Sequence, residues 1–304
     1  MTELALYISN IRYKRYYELC KPKVVLLIVF TAVVGMLLST PGPIPVDLFI
    51  YATTGIALAS ASGAAINHWV DQRIDTIMDR TKNRPLPQGD MSGISAIVFA
   101  ISLGVIAMII LVTQVNMITA LLTLTSLIGY AVIYTMFLKR TTPQNIVLGG
   151  AAGAAPPVLG WAAMTGEVNT EALLLFLIIF IWTPPHFWAL AIKRKDEYAR
   201  AGLPMLPVTH GIAFTKIHIL LYTLMLVAVT LMPFAIKMTG LVYLAGAISL
   251  GIGFIYHAYK LYRTGNSDAH AMKTFAYSIF YLSALFAFLL ADHYVRILLR
   301  DYFI

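Results

Sequence analysis

Residues 67–80 read Asn67-His68-Trp69-Val70-Asp71-Gln72-Arg73-Ile74-Asp75-Thr76-Ile77-Met78-Asp79-Arg80, and they follow directly on an apolar run over 48–66. Four polar side chains, Asn67, Asp71, Asp75 and Asp79, recur at every fourth position. On a helix that spacing gives about 6 Å of rise and about 40° of rotation per step, so the four share one slowly turning stripe. Carboxylates so placed repel one another, and beside a hydrocarbon layer each is costly. Pairing along the helix offsets little of this. Arg73 and Arg80 have no Asp three or four positions away, and only Lys82 can pair in this way, with Asp79. A row lying beyond the bilayer, solvated at a helix end, is the plain alternative, but Asn67 adjoins the apolar run.

Working outward, the same kind of apolar run recurs from end to end. Of 304 residues, 59% are hydrophobic and only 12% charged, too little charge to keep a soluble domain of this length dispersed. Spans are read near 24–40, 48–66, 93–113, 117–137, 145–164, 172–192, 217–236, 240–260 and 276–296, each long enough to cross about 30 Å of hydrocarbon. The expected fold is therefore all-α, a polytopic membrane protein of about nine transmembrane helices bundled around a central cavity open to the cytoplasmic face. It is expected to form one domain over 1–304, with 1–23 as a cytoplasmic segment and long inner loops at 67–92 and 193–216.

The net charge of +8 reports topology before ligands. Lys and Arg ahead of the first span and in every second loop afterwards number 19, and only Lys237, Arg296 and Arg300 fall on the other side. That asymmetry puts the N-terminus in the cytoplasm and the C-terminus outside, and it argues against a nucleic-acid partner. The single cysteine, Cys20, excludes an internal disulfide and a Cys-rich metal site. Residues 1–23 lack the apolar core of a cleaved signal peptide and the look of an organelle transit sequence, which favours a bacterial inner membrane.

A divalent cation accounts for the acidic row. Mg²⁺ takes oxygen ligands, keeps several waters, and is commonly held by one or two carboxylates together with substrate phosphates. Arg80, Lys82 and Arg84 follow at once, ahead of Pro85-Leu86-Pro87. Acids for a metal interleaved with bases for phosphate suit an enzyme that must neutralise a diphosphate leaving group. The metal candidates are Asp71, Asp75, Asn67 and Asp79.

Asn67-x-x-x-Asp71-x-x-x-Asp75 followed by Arg80-Thr81-x-x-Arg84-Pro85-Leu86-Pro87 resembles the first aspartate-rich motif of the UbiA-superfamily intramembrane prenyltransferases. Further segments carry the resemblance over roughly residues 15–295. These are Lys21-Pro22-Lys23, the run from Tyr134 through Lys139 to Asn145, Gly153-Ala154-Ala155-Pro156-Pro157, Thr183-Pro184-Pro185-His186-Phe187-Trp188, and Ala201-Gly202-Leu203-Pro204-Met205-Leu206-Pro207. The Pro-Pro-His-Phe-Trp and Ala-Gly-Leu-Pro-Met-Leu-Pro segments resemble the haem-accepting branch.

The resemblance implies transfer of a farnesyl group from farnesyl diphosphate to a vinyl group of haem b, with Mg²⁺ as cofactor and water added to the product. It implies contact with the lipid bilayer and with haem A synthase or oxidase assembly factors. It also implies diphosphate-binding roles for Arg80, Arg84, Lys139, Tyr134, Lys21 and Lys193. For Lys139 and Lys193, anchoring at the membrane face is the ordinary alternative. Where many relatives carry a second Asp-x-x-x-Asp motif, this chain reads Asp196-Glu197-Tyr198-Ala199-Arg200. Asp196 and Tyr198 are candidates for that second site, and an ion pair between Asp196 and Arg200 is the rival reading. His186, after two prolines inside a span, is a candidate haem contact or a buried partner of a freed carbonyl. A quinone precursor or another aromatic ring is the alternative acceptor. Ion-coupled secondary transport is the alternative of another class.

Overall fold

A computed structural model describes residues 13–303, and side chains up to residue 299. The expectations for residues 1–12 and for the side chain of Arg300 lie outside the described residues. Within them, nine helices are long and apolar enough to cross a membrane: α1 Pro22–Ser39, α2 Val46–Val70, α3 Gly93–Val115, α4 Met117–Thr141, α5 Asn145–Thr165, α6 Thr170–Lys193, α7 Gly211–Ala235, α8 Leu241–Tyr262 and α9 Ala271–Leu299. Each overlaps the span expected from the apolar run. No strand occurs among the described residues. Large apolar side chains such as Leu26, Ile101, Leu173 and Ile252 are exposed on the outside of the bundle, as a lipid-facing surface requires.

Packing follows the chain order with two closures. α2 lies against α3 and α1, α6 against α7, α5 and α9, and α8 against α7 and α9, while α1 also touches α5 and α9. The tightest approach is between α1 and α5. A Cβ at Gly160 would run into the Ala32 carbonyl, and one at Gly35 into the carbonyl of Pro157. Glycine is required at both places so that the two backbones can touch, as is common where lipid supplies no hydrophobic drive. α5 is interrupted at Ala155, with Pro156 and Pro157 opening its second half. The kink turns Gly149, Gly150, Gly153 and Pro156 toward a central cavity of about 320 Å³.

Two other features position the site. In α4 the backbone runs as a π-helix from Gly129 to Leu138, so each N–H there reaches back five residues rather than four and the helix is wider. At the opposite end of the bundle, the buried carboxylate of Asp292 accepts from the backbone N–H of Gly240 at 2.5 Å and of Tyr243 at 3.1 Å. It thereby caps the start of α8, whose first N–H groups have no helical partner. Gly160→Val should lower the unfolding midpoint of the purified protein by the equivalent of about 1–3 kcal/mol, because the added side chain meets backbone that cannot yield. Thermal unfolding in detergent with a far-ultraviolet circular dichroism readout checks this.

Candidate active site

The acidic row begins as expected and then breaks. α2 ends at Val70, yet Asp71 N–H still donates to Asn67 O at 3.0 Å and Asp75 N–H to Asp71 O at 2.8 Å. The helical rise therefore carries through Asp75 and places Asn67, Asp71 and Asp75 on one buried face. Beyond Thr76 the chain turns. Asp79 leaves the stripe, stands exposed, and pairs with Lys82 at 2.8 Å and with Arg200 at 3.7 Å. Those two cations hold its carboxyl below the usual range. The expected four-residue stripe is corrected to three, because the helix does not reach Asp79.

Each buried acid meets a base delivered by another element. Asp71 Oδ2 accepts from Lys139 Nζ at 2.5 Å and from Asn67 Nδ2 at 2.8 Å. Arg140 Nη2 lies 3.8 Å from Asp71 Oδ1, and it also donates to the Val70 carbonyl at 3.1 Å. Asp75 Oδ2 accepts from Arg84 at 2.6 Å, and Thr81 Oγ1 donates to the Asp75 carbonyl at 3.1 Å. Lys21, at the entrance to α1, donates to Asn67 Oδ1. Burial pulls the Lys21 ammonium down to about 7, with help from Arg84 and Lys139. The order Lys21, Asn67, Asp71, Lys139 thus ties α1, α2 and α4 together at one end of the cavity.

The π-helical stretch decides how α4 takes part. Lys139 N–H donates to the Tyr134 carbonyl, five residues back. This wide turn stacks the Lys139 backbone over that of Tyr134. Tyr134 and Tyr130 line the cavity, with their rings 5.8 Å apart. Thr135 Oγ1 donates to Tyr130 O at 2.8 Å and accepts from Asn67 Nδ2 at 3.4 Å. Tyr130 was not singled out from the sequence, since one tyrosine in an apolar run carries no signal of its own.

The second inner loop contributes less than expected. Tyr198 is buried, and that burial raises its hydroxyl pKa against the pull of Arg80 and Arg194. Arg80 is itself held down by burial and by Arg84. Asp196 is exposed, and the rival ion pair between Asp196 and Arg200 is absent among the described residues. Arg200 turns to Asp79, and Arg194 pairs with Glu197 at 3.6 Å. Lys193 points away to Asp268 in the loop between α8 and α9, at 2.8 Å. The structure does not bring Lys193 to the acids. His186 lies deeper in α6, beside Ser278 of α9.

The donor set suits a shared metal. Asp71 Oδ1 is buried without a hydrogen bond, and Asp75 is engaged through Oδ2 alone among the described residues. No cluster of three or more His, Cys, Asp or Glu forms a cage among those residues. Two carboxylates with spare oxygens, ringed by cations, fit a Mg²⁺ that a phosphate group helps to hold.

Comparison with known proteins decides the family. The profile of the UbiA prenyltransferase family matches residues 28–289. The chain belongs to that family. This UbiA-family protein is thus an enzyme, a prenyltransferase, and a multi-pass membrane protein. It is 65% identical to a protoheme IX farnesyltransferase of Thioalkalivibrio sulfidiphilus, over 94% of this chain and 95% of that protein. Its fold is shared with a digeranylgeranylglyceryl phosphate synthase at TM-score 0.79 and 18% identity, covering 92% of this chain and 98% of the other. A UbiA homologue from Archaeoglobus fulgidus bound to DMAPP and Mg²⁺ matches at TM-score 0.60 and 16% identity, over 90% and 99% of the two chains. Family membership displaces ion-coupled transport as a reading of the intramembrane acids.

Arg84→Leu should destabilise the metal-free protein by about 3–5 kcal/mol, because it leaves the Asp75 carboxylate buried without its partner. Adding Mg²⁺ should recover part of the loss, as seen in unfolding midpoints measured with and without the ion.

Proposed function

We propose that this prenyltransferase moves the farnesyl group of farnesyl diphosphate onto a vinyl group of haem b, with water added, to give haem O and diphosphate. The observation that carries the reading is the pairing of Asp71 with Lys139 and of Asp75 with Arg84, joined through Asn67 to Lys21, which lines the apolar cavity. The acceptor is supported by the 65% identity to a protoheme IX farnesyltransferase. Mg²⁺ is supported by the donor set and by the Mg²⁺-bound family structure.

In this reading the farnesyl tail lies in the 320 Å³ cavity, against Leu127, Leu159 and Ile179. Its diphosphate meets Asn67, Asp71 and Asp75 at the mouth. Mg²⁺ shared between those side chains and the diphosphate would supply charge neutralisation as the carbon–oxygen bond breaks. Lys139 and Arg84 hold Asp71 and Asp75, and Lys21 holds Asn67; these three cations would be available to the phosphate oxygens of a bound diphosphate. Arg80 is a further cation at the mouth. Tyr130 and Tyr134 line the space where the allylic cation would form, and the apolar wall would keep water from quenching it. The vinyl group attacks the farnesyl carbon, and water then captures the positive charge left on the porphyrin side chain.

The chain works in this reading as one domain over 1–304, in a bacterial inner membrane. Its N-terminus and active-site mouth face the cytoplasm, by the 19-to-3 distribution of Lys and Arg. Haem A synthase or an oxidase assembly factor is the partner that would receive the product.

The test incubates purified protein with haem b, farnesyl diphosphate and Mg²⁺, and separates the extracted haems by chromatography and mass. A farnesylated, hydrated haem is expected from the natural sequence. Asp71→Ala should reduce its rate by about 10²-fold or more, since it removes charge stabilisation at the leaving group. Product from hydroxybenzoate but none from haem b would move the assignment to a quinone-precursor acceptor.

A further inference from the structure

The main cavity has a floor. Ile28 of α1, Leu159 of α5 and Ile179 of α6 are its deepest lining side chains on those helices, while Lys21, Ile146 and Phe187 line the end nearer the acids. At a rise of about 1.5 Å per residue, the path from Phe187 to Ile179 covers about 12 Å. The path from Ile146 to Leu159 covers about 20 Å, less what the kink at Ala155 removes. Leu159 is 4% exposed and belongs both to the lining and to the core of Ala32, Met36, Ala52, Ile56 and Ala163 beyond it. Ile179, also 4% exposed, joins the core shared with α7, α8 and α9. The backbone contacts of Gly35 with Pro157 and of Gly160 with Ala32 flank Leu159 on α5. The helix that carries Leu159 is therefore pinned, and the floor does not yield by sliding.

The middle of the cavity is kept clear by a different device. On α5 a Cβ at Gly149 would strike the Tyr134 ring, and one at Gly150 would meet the Thr183 side chain at 3.1 Å. Tyr134 and Thr183 both line the cavity. Gly153 is one turn further along and faces between those two directions. A Cβ there would meet no atom within 4 Å, although Gly153 lines the same cavity. Helix packing therefore does not call for glycine at this position, and glycine inside a helix is less stable than alanine. What the missing side chain leaves is open space, about halfway along α5 between Ile146 and Leu159.

We infer that Gly153 and Leu159 together select the length of the prenyl donor, Gly153 by letting the chain pass the middle of the cavity and Leu159 by stopping it at the floor. This rests on the donor tail lying in this cavity, as proposed above, and not on the identity of the acceptor. A chain one isoprene unit shorter than farnesyl leaves the floor without contact, and the apolar lining there loses its packing partners. A chain one unit longer meets Leu159 and the pinned core behind it, where overpacking is costly. Its other course is sideways past Val24 and Leu27, which line the cavity and are exposed toward lipid. Leaving that way gives up the enclosed contacts that the floor provides.

The experiment measures Kd for the intact protein in lipid nanodiscs with Mg²⁺ and no acceptor. The probes are the geranyl, farnesyl and geranylgeranyl S-thiolodiphosphates, whose carbon–sulfur bond resists ionisation, and empty nanodiscs give the uptake by lipid alone. The natural sequence should bind the farnesyl compound tightest, with the other two weaker by about tenfold or more. Gly153→Leu should move the optimum to the geranyl compound. Leu159→Ala should improve geranylgeranyl binding relative to farnesyl by about tenfold or more, and if the hole it opens in the core prevents folding, Gly153→Leu decides. Equal binding of all three by the natural sequence would overturn the inference, and so would a farnesyl optimum unchanged in Gly153→Leu. Saturable binding of none of them would remove the cavity as the donor site, and the inference with it. If the length preference holds and follows Gly153 but haem b yields no product, the acceptor assignment falls and the length selection stands. If haem b is farnesylated and no length preference appears, only the length selection falls.

Discussion

Placing two buried carboxylates at one end of an apolar bundle is the constraint on which the rest of this structure depends. Asp71 and Asp75 are almost wholly buried, and an uncompensated charge there would be prohibitive. The protein answers by importing a cation from elsewhere for each. Lys139 comes from the end of α4 and Arg84 from the loop after α2, while Asn67 links the arrangement to Lys21 and α1. The helices are therefore held in register at this end by the same contacts that define the site. The cations also neutralise the acids when no metal is bound, so the site is folded before its substrate arrives. A metal–diphosphate ligand then replaces pairs that already exist and need not order loose side chains.

Much of this was legible in the chain, for physical reasons. A membrane span must be long, apolar and bounded by polar residues, so all nine spans show in the sequence, most within a few residues of their ends and two with starts five and six residues late. Asn67, Asp71 and Asp75 showed because a helical period in polar residues beside an apolar run has few structural explanations. Asp79 obeyed the same period, but periodicity assumes a helix, and the chain turns after Thr76. Lys193 and Arg200 illustrate a different limit. A cation's reach exceeds the spacing rules, and these two found Asp268 and Asp79 on other loops.

The least legible feature is the width of α4. Tyr134 and Lys139 are five residues apart, which on an α-helix would put them on different faces. The π-helical hydrogen bond between them stacks the two backbones and brings Lys139 to Asp71. No residue type announces such a turn. Its partners are 68 positions away in sequence, at Asn67 and Asp71. A single sequence gives no view of a pairing made by the tertiary fold.

The exposed contact between Asp79, Lys82 and Arg200 joins the loop after α2 to the loop after α6. These side chains stand in water, where dissolved ions at physiological strength damp charge over about 8 Å. The pairs on Asp71 and Asp75 are largely buried, where charge is screened much less. The enzyme therefore has two electrostatic tiers with different sensitivity to ionic strength. Salt weakens the contact between the two loops far more than the buried pairs beneath it.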